Sequence, residues 1–317
     1  MFPRLIKDNY LLVILGPTAG GKTAVAANIA HVIKGEVISA DSRQVYKDMN
    51  LGTGKDYDDY IVNGKSIPYH LIDIVDAGRK YNLFEYQKDF IAAYTKIVSQ
   101  EKFPVLCGGT GLYIEAVTQK YKMQEVPPDF ELRQELEQKS LDELTQILAS
   151  YKKLHNSTDI DTKKRAIRAI EIEKFQYEKK EPLQFPDIKP IYFGVKNSRE
   201  VRRERITKRL HQRLEEGMVD EVQKLLDRGI PAIDLIYYGL EYKFLTLYLT
   251  HQLSFSEMIE KLNIAIHQFA KRQMTWFRKM ERQGIPITWL ESSMPMEQKQ
   301  EIILSHLKQV EEKCQRQ

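Results

Sequence analysis

Residues 11–30 read LLVILGPTAGGKTAVAANIA: an apolar run, a glycine-rich turn and an alanine-rich helical stretch. Within it, GPTAGGKT (16–23) matches G-x-x-x-x-G-K-[ST], the loop that holds a phosphate between a strand and a helix. Its glycines let successive backbone N–H groups turn toward phosphate oxygens. The positive end of the following helix adds to their pull. Gly16, Pro17, Thr18, Ala19, Gly20 and Gly21 are therefore the expected cradle. Lys22 is the expected charge on the terminal phosphate, and Thr23 the hydroxyl ligand of a Mg2+ ion. The motif alone reads equally well as an ATP- or nucleotide-binding loop. It also constrains the fold, because such a loop needs a strand end to meet a helix start at the edge of a sheet.

Further apolar runs at 36–40 (EVISA), 70–75 (HLIDIV), 103–108 (FPVLCG), 191–195 (IYFGV) and 287–290 (ITWL) are predicted strands. Helical segments separate them, such as 84–101 with Phe90, Tyr94, Ile97 and Val98 on one face. This alternation predicts an α/β fold: a P-loop NTPase-like parallel sheet core with helices on both faces. From about 121 to 185 the alternation lapses into two helical stretches, PPDFELRQELEQKSLDELTQILASYKKL and DTKKRAIRAIEIEKFQYEKK, closed by EPLQFPDIKP. Residues 1–120 and 186–317 are thus expected to form the core, and 121–185 an inserted α-helical subdomain. Residues 199–228 predict a long helix interrupted at Gly217 and stopped by Gly229 and Pro231. Another begins at the Ser254-x-x-Glu257 capping box and runs through WFRK.

A content of 42% hydrophobic and 29% charged residues fits a soluble enzyme. No apolar run approaches the roughly 18 residues that cross a bilayer, and MFPRLIKDNY lacks the features of a signal peptide. Cys107 and Cys314 are the only cysteines and lie far apart, which points to a reducing, cytoplasmic setting. The net charge of +4 hides an uneven distribution. Residues 199–213 carry seven Arg/Lys against two Glu, 151–168 six basic against two acidic, and 261–282 six against one. Residues 129–143 hold six acidic against two basic. Concentrated positive charge in a nearly balanced chain fits a polyanion partner, although any one cluster also reads as a solvated helix face.

The run FPVLCGGTGLY (103–113) ends in glycines and Thr110, with no acid where many nucleotide-hydrolysing relatives of the loop carry a magnesium-binding Asp. The carboxylate comes after the second run instead, in ISADSRQVY (38–46). Asp41 reads either as the cap of a following helix or as a general base beside a phosphate-bound electrophile. Thr110 reads either as a turn residue or as a group near the reacting centre. His70, Asp73 and Cys107 read as structural, and Trp276 and Phe277 as core.

GPTAGGKT, ISADSRQVYKDMNLGTGK, YHLIDIV, PVLCGGTGLYIEAV and AKRQMTWFR occur in one order and at a spacing that resembles the tRNA dimethylallyltransferases, from about residue 11 to 290. The resemblance implies transfer of a dimethylallyl group from dimethylallyl diphosphate to N6 of the adenosine 3′ of the anticodon, in tRNAs reading codons that begin with U. By that resemblance Asp41, Thr110 and Lys22 are catalytic, the loop holds a diphosphate leaving group, and Mg2+ is the cofactor. Asp41, Ser42, Arg43 and Gln44 would contact the acceptor base and its neighbours. Further tRNA contacts implied are Arg133, then Lys164, Arg165 and Arg168 on the basic helix of the insertion. Lys271, Arg272, Gln273, Thr275 and Arg278 in KRQMTWFR complete the set. The implied partner is a tRNA anticodon stem–loop, met by a monomer away from any membrane.

Two departures stand out. Lys164 replaces the Gln usual in the family's Gln-Arg-x-x-Arg. In IYYGLEYKF (236–244), Leu240 and Glu241 stand where Tyr and a base are usual. Lys243 is one substitute for that lost charge. A prenyltransferase of free adenine nucleotides, a small-molecule kinase and a non-enzymatic RNA-binding NTP switch share the loop. The basic insertion and KRQMTWFR argue against the first, and the missing acid after FPVLCG against the second.

Overall fold

The structure is a computed structural model that describes residues 2–153, 158–178 and 184–315. Six strands form one sheet: β1 (Tyr10–Leu15), β2 (Gly35–Ser39), β3 (Tyr69–His70), β4 (Phe103–Gly108), β5 (Lys189–Lys196) and β6 (Ile287–Glu291). Their order is β3-β2-β4-β1-β5-β6, and every neighbouring pair runs parallel. All six carboxyl ends therefore lie along one edge, where open α/β sheets bind ligands. The helices in chain order are α1 (Lys22–Ile33), α2 (Leu83–Ser99), α3 (Gly111–Thr118), α4 (Phe130–Glu137), α5 (Leu141–Tyr151) and α6 (Lys163–Glu178). They continue with α7 (Arg199–Glu215), α8 (Met218–Asp227), α9 (Ala232–Tyr237), α10 (Leu240–Leu249), α11 (Phe255–Arg282) and α12 (Met296–Gln315). A short N-terminal helix (Pro3–Lys7) precedes β1.

Leu11 to Leu15 of β1 are all buried, and a strand apolar on both sides must be covered on both. Leu12 and Ile14 join a cluster with Ala26, Ala30 and Ile33 of α1 and Ile303 and Leu307 of α12. The sheet is also covered by α2, whose Asn82–Glu85 capping box starts a helix that buries Tyr86, Phe90 and Tyr94. No helix among the described residues is long and apolar enough to cross a membrane.

The chain divides into two compact units, residues 1–120 with 186–317, and residues 121–185. In the second, Leu136, Leu144, Leu148, Ala166, Ile167 and Ile170 form a core of their own. The first helical stretch expected there is two helices, because Ser140 caps α5 with Glu143 and so ends α4. Residues 154–157, Lys179, Lys180 and 181–183 of the closing segment lie outside the described residues.

HLIDIV is corrected from a full strand to a two-residue one. Leu71 and Asp73 take φ values of 63° and 57°, which turn the backbone out of the sheet, and a lone bridge joins Val75 to Tyr46. Asp73 then faces inward, accepting from the Tyr57 hydroxyl (2.6 Å) and pairing with buried Lys55. His70 pairs with Glu36 (2.7 Å). The helix expected over 199–228 is α7 and α8, broken at Gly217 with φ 98°. The capping box at Ser254 starts α11, and its 28 residues run past WFRK.

Candidate active site

At the carboxyl edge of the sheet a cavity of about 580 Å³ opens between the ends of β1, β2 and β4 and the helices α7, α10 and α11. Thr18 to Thr23 of the phosphate loop form one wall, while Gly16 and Pro17 sit buried behind it. A Cβ on Gly16 would lie 2.4 Å from Val195 O, so only glycine lets β1 leave the sheet this close to β5. Two side chains from distant parts of the chain fix the loop. The Thr18 N–H donates to Gln273 Oε1 (2.8 Å), and Asn197 Nδ2 donates to Ala19 O (3.1 Å), where Ala19 holds φ 59°.

The turns after β2 and β4 are stapled together. Ala40 N donates to Cys107 O (2.7 Å), Thr110 N to Ala40 O (3.2 Å), and Ser42 N to Thr110 Oγ1 (3.1 Å). A Cβ on Gly108 would lie 2.2 Å from Ala40 O, which explains the glycine there. Residues 42–45 are a turn, so Asp41 caps no helix. Its Oδ1 accepts from Arg43 N (2.9 Å), and Oδ2 makes no hydrogen bond among the described residues. Asp41, Thr110, Lys22 and Thr23 thus share one cavity. Burial pushes the Cys107 thiol up to about 12, leaving it a wall residue rather than a nucleophile.

The facing wall carries Glu241 and, beside it, groups that sequence reasoning did not single out. Arg209 and Arg213, one turn apart on α7, both pair with Asp56, Arg213 at 3.0 Å. Both guanidinium groups pack against Gly54, where a Cβ would meet them at 2.9 and 2.7 Å. Burial, and then Arg213, pull Arg209 below its usual value. Asp59 lies nearby: burial and Asp56 push its carboxyl up, against Arg209 and Lys22. Burial also pushes Glu241 up, opposed by its own N–H, Arg213 and Arg209. The loop bearing Gly52 and Gly54 is gripped by Glu221, which accepts from the N–H groups of Asn50 (2.8 Å), Leu51 (2.7 Å) and Gly52 (3.0 Å). The signal for the two arginines was the basic run 199–213, in which they lie four residues apart and share a helix face.

The expected RNA-contacting residues divide into three groups. Ser42, Arg43, Gln44, Arg272 and Gln273 line the cavity. Two of them are committed internally: Gln44 bridges Ser39 Oγ (3.0 Å) and Gly54 O (3.0 Å), and Gln273 Nε2 donates to Gly109 O (2.8 Å). Lys271, Thr275 and Arg278 are exposed along one face of α11 and do not line the cavity. In the helical unit Lys164 and Arg165 are exposed, Arg165 paired with Asp161 (2.8 Å). Arg133 and Arg168 instead converge on Glu171, which is only 2% exposed. Arg133 grips it through Nε (2.9 Å) and Nη2 (2.8 Å), and Arg168 through Nη1. Phe277 is core as expected, but Trp276 lines the cavity, its indole where a Cβ on Gly111 would lie (2.2 Å).

For a magnesium ion the donors are hard oxygens and few: the Thr23 hydroxyl, with the Asp41 and Asp59 carboxylates on the same cavity. No cluster of three His, Cys, Asp or Glu among the described residues is arranged to hold a metal. A Mg2+ ion bound through so few protein oxygens would complete its shell with substrate phosphate oxygens and water.

The chain is similar to known proteins over nearly its whole length. The IPP transferase profile matches residues 44–280 and the isopentenyl transferase profile residues 9–70. A tRNA dimethylallyltransferase of Phocaeicola vulgatus is 59% identical over 298 residues, covering 94% of this chain and 97% of its own. One from Bacteroides fragilis is 58% identical over 305 residues, 95% and 99% of the two chains. The crystal structure of a tRNA isopentenylpyrophosphate transferase from Bacillus halodurans superposes with a TM-score of 0.71 at 31% identity, over 97% of this chain and 98% of that one. A eukaryotic dimethylallyltransferase acting on tRNA shares the fold (TM-score 0.72, 22% identity, 90% and 74% covered). A phosphate loop and the Asp41 carboxylate meeting on one parallel-sheet edge, in a chain this similar to these enzymes, leave one assignment: it belongs to the IPP transferase family, the tRNA dimethylallyltransferases.

Proposed function

We propose that the protein transfers the dimethylallyl group of dimethylallyl diphosphate to N6 of the adenosine 3′ of the anticodon, position 37, in tRNAs reading codons that begin with U. The products are N6-(dimethylallyl)adenosine in the tRNA, and diphosphate. The observation that carries this reading is the meeting of Asp41 and Thr110 with the phosphate loop in one cavity, with no acid at the end of β4. In P-loop phosphoryl-transfer enzymes an acid at the end of a later strand helps hold Mg2+. Here β4 ends in glycines and Thr110, and the carboxylate comes from the turn after β2, placed to accept a proton.

The reaction forms one bond, N6 to C1, and breaks one, C1 to the bridging oxygen. The exocyclic amine is a weak nucleophile because its lone pair is delocalised into the purine. Asp41, with Oδ2 uncommitted, takes the proton as the bond forms. The bonding pair of C1–O leaves with diphosphate, and the loop amides, Lys22 and the Arg209–Arg213 pair stabilise its growing charge. Thr110 fixes Ser42, and so the turn bearing Asp41, against the end of β4. Mg2+, held by Thr23 and diphosphate oxygens, would neutralise part of the leaving group's charge. An adenine within a stem–loop must leave its stack to enter such a cavity. The exposed Lys271, Thr275 and Arg278, with Lys164 and Arg165 of the insertion, supply phosphate contacts for the anticodon stem–loop. We place the enzyme in the cytoplasm, working as a monomer.

The test incubates the protein with labelled dimethylallyl diphosphate, Mg2+ and either an anticodon stem–loop or AMP, ADP and ATP. Label on the stem–loop adenosine is expected. Label on free nucleotides in preference to the stem–loop overturns the assignment of acceptor, and no label on either overturns the reaction.

A further inference from the structure

Tyr237 and Tyr238, at the end of α9, are treated in opposite ways by the fold. Tyr238 is wholly buried, its ring centroid 4.5 Å from that of Tyr46. Its hydroxyl accepts from Gly78 N (2.8 Å) and donates to Arg79 O (3.0 Å). Tyr237 is 51% exposed. It stands at the mouth of the cavity, whose wall runs through its neighbours Ile236 and Tyr238. Two cations lie against its ring: the Arg43 guanidinium and the Lys80 ammonium, each 5.8 Å from the centroid. Lys80 has Asp234 at 3.9 Å for partial compensation. Arg43 lines the cavity and runs beside Gly239, two residues along from Asp41.

A single exposed tyrosine on a protein surface calls for no explanation. This one differs in being anchored by the buried residue beside it, in sitting at the rim of the reacting cavity, and in being flanked by positive charge. Those are the elements with which proteins hold single-stranded nucleic acid: a π-face for a base and cations for the phosphates that flank it. A vacant stacking partner is also what the chemistry creates. When the acceptor adenine swings out of its stack, each neighbouring base loses one covered face. An aromatic ring fixed at the rim restores that cover.

We infer that Tyr237 is the stacking platform for a base adjacent to the acceptor adenine, with Arg43 and Lys80 meeting the phosphates on either side of it. The inference rests on the RNA acceptor proposed above, and extends it from the adenine to its neighbour.

The test is a cycle between protein and RNA, read as Kd for an anticodon stem–loop without dimethylallyl diphosphate. Tyr237→Ala is expected to weaken binding roughly 10-fold, the scale of one lost base–aromatic stack. Tyr237→Phe keeps the ring and the affinity. With the RNA made abasic at the stacked neighbour, 5′ or 3′ of the acceptor, wild-type protein loses the same factor and Tyr237→Ala costs nothing more. A 2-aminopurine placed there is quenched by wild type and by Tyr237→Phe, and not by Tyr237→Ala. The KM for dimethylallyl diphosphate stays at the wild-type value in both variants. Equal affinity of wild type and Tyr237→Ala for intact RNA overturns the inference. So does a penalty that persists with both abasic RNAs, or wild-type protein indifferent to both. Wild-type protein that shows the cycle yet prenylates no stem–loop leaves the platform standing and removes the proposed reaction instead.

Discussion

Gln273 is 7% exposed and spends both ends of its amide on the site. Oε1 accepts from Thr18 N and Nε2 donates to Gly109 O, each at 2.8 Å, so one side chain of α11 ties the phosphate loop to the turn carrying Thr110. Replacing it by Ala keeps the helix, since Ala is the better helix former, and removes two hydrogen bonds worth about 1 kcal/mol each net. The backbone groups left behind lie on a cavity that water reaches, so the full cost of orphaned buried groups does not apply. The expected loss of stability is about 1–3 kcal/mol, read as a lower Tm. Catalysis should suffer more, because a shift of about 1 Å between reacting groups can cost roughly 100-fold in rate. Gln273→Glu separates the two bonds: a carboxylate still accepts from Thr18 N but meets the Gly109 carbonyl with no proton to offer. Thermal unfolding, prenyl transfer to a stem–loop and RNA affinity without diphosphate should be measured on both variants. A strut gives low kcat and a raised KM for dimethylallyl diphosphate with unchanged RNA affinity. Gln273→Ala with normal turnover and weakened RNA binding refutes the strut, and returns Gln273 to the RNA-contacting role that its place in KRQMTWFR suggests.

Asp41→Asn should lower kcat by about 100-fold or more while RNA affinity holds; unchanged turnover removes Asp41 as the base. The Glu241 carboxyl is raised by burial, so its contribution to stability is present at acid pH and lost as pH rises through its folded value. Glu241→Gln should therefore have a higher Tm than wild type at pH 7 to 8, a gap that closes toward pH 4. Glu171 has the opposite sign: burial pushes it up, but hydrogen bonds from Arg133, Asp129 N and Arg168 prevail and hold it low. Its contribution is present above the ordinary carboxylate range and lost as pH falls through the folded value. Glu171→Gln should thus lower Tm at pH 7 and flatten the acid limb of the stability profile. RNA affinity should fall steeply with salt, as phosphate contacts release counterions; a flat response counts against the exposed basic faces.

The parts of the site legible in the sequence are those made by neighbours in the chain. The phosphate loop, the capping box at Ser254 and the break at Gly217 each need only a few consecutive residues. HLIDIV misled because an apolar run reports burial rather than conformation: Leu71, Ile72 and Val75 are buried as a strand's residues would be, yet Leu71 and Asp73 are left-handed. The cap at Ser140 was present in the letters, but lay inside a run polar enough to pass for one helix. Trp276 read as core because only Gly111, far away in sequence, decides that its ring faces a cavity. The strut at Gln273 and the pairing of Arg133 and Arg168 with Glu171 depend on contacts that no local pattern encodes.

The departure in the 236–244 loop also acquires a physical account. A base expected near residue 241 is absent, and an acid stands in its place, which on its own would weaken any anion site. Yet the cavity is lined by Lys22, Arg43, Arg209, Arg213, Lys243 and Arg272 against Asp41, Asp56, Asp59 and Glu241. Positive charge is thus delivered from α7 as well as from the loop, in the two arginines clasped to Asp56. Two guanidinium groups this close repel, and Asp56 offsets that repulsion. The diphosphate proposed above would offer more negative charge than one carboxylate and would draw the pair away from it. Glu241, pushed toward its neutral form by burial, opposes such an anion less than an exposed acid would. The positive charge facing the phosphate loop therefore has a source in the chain itself, on the face of α7 that carries Arg209 and Arg213.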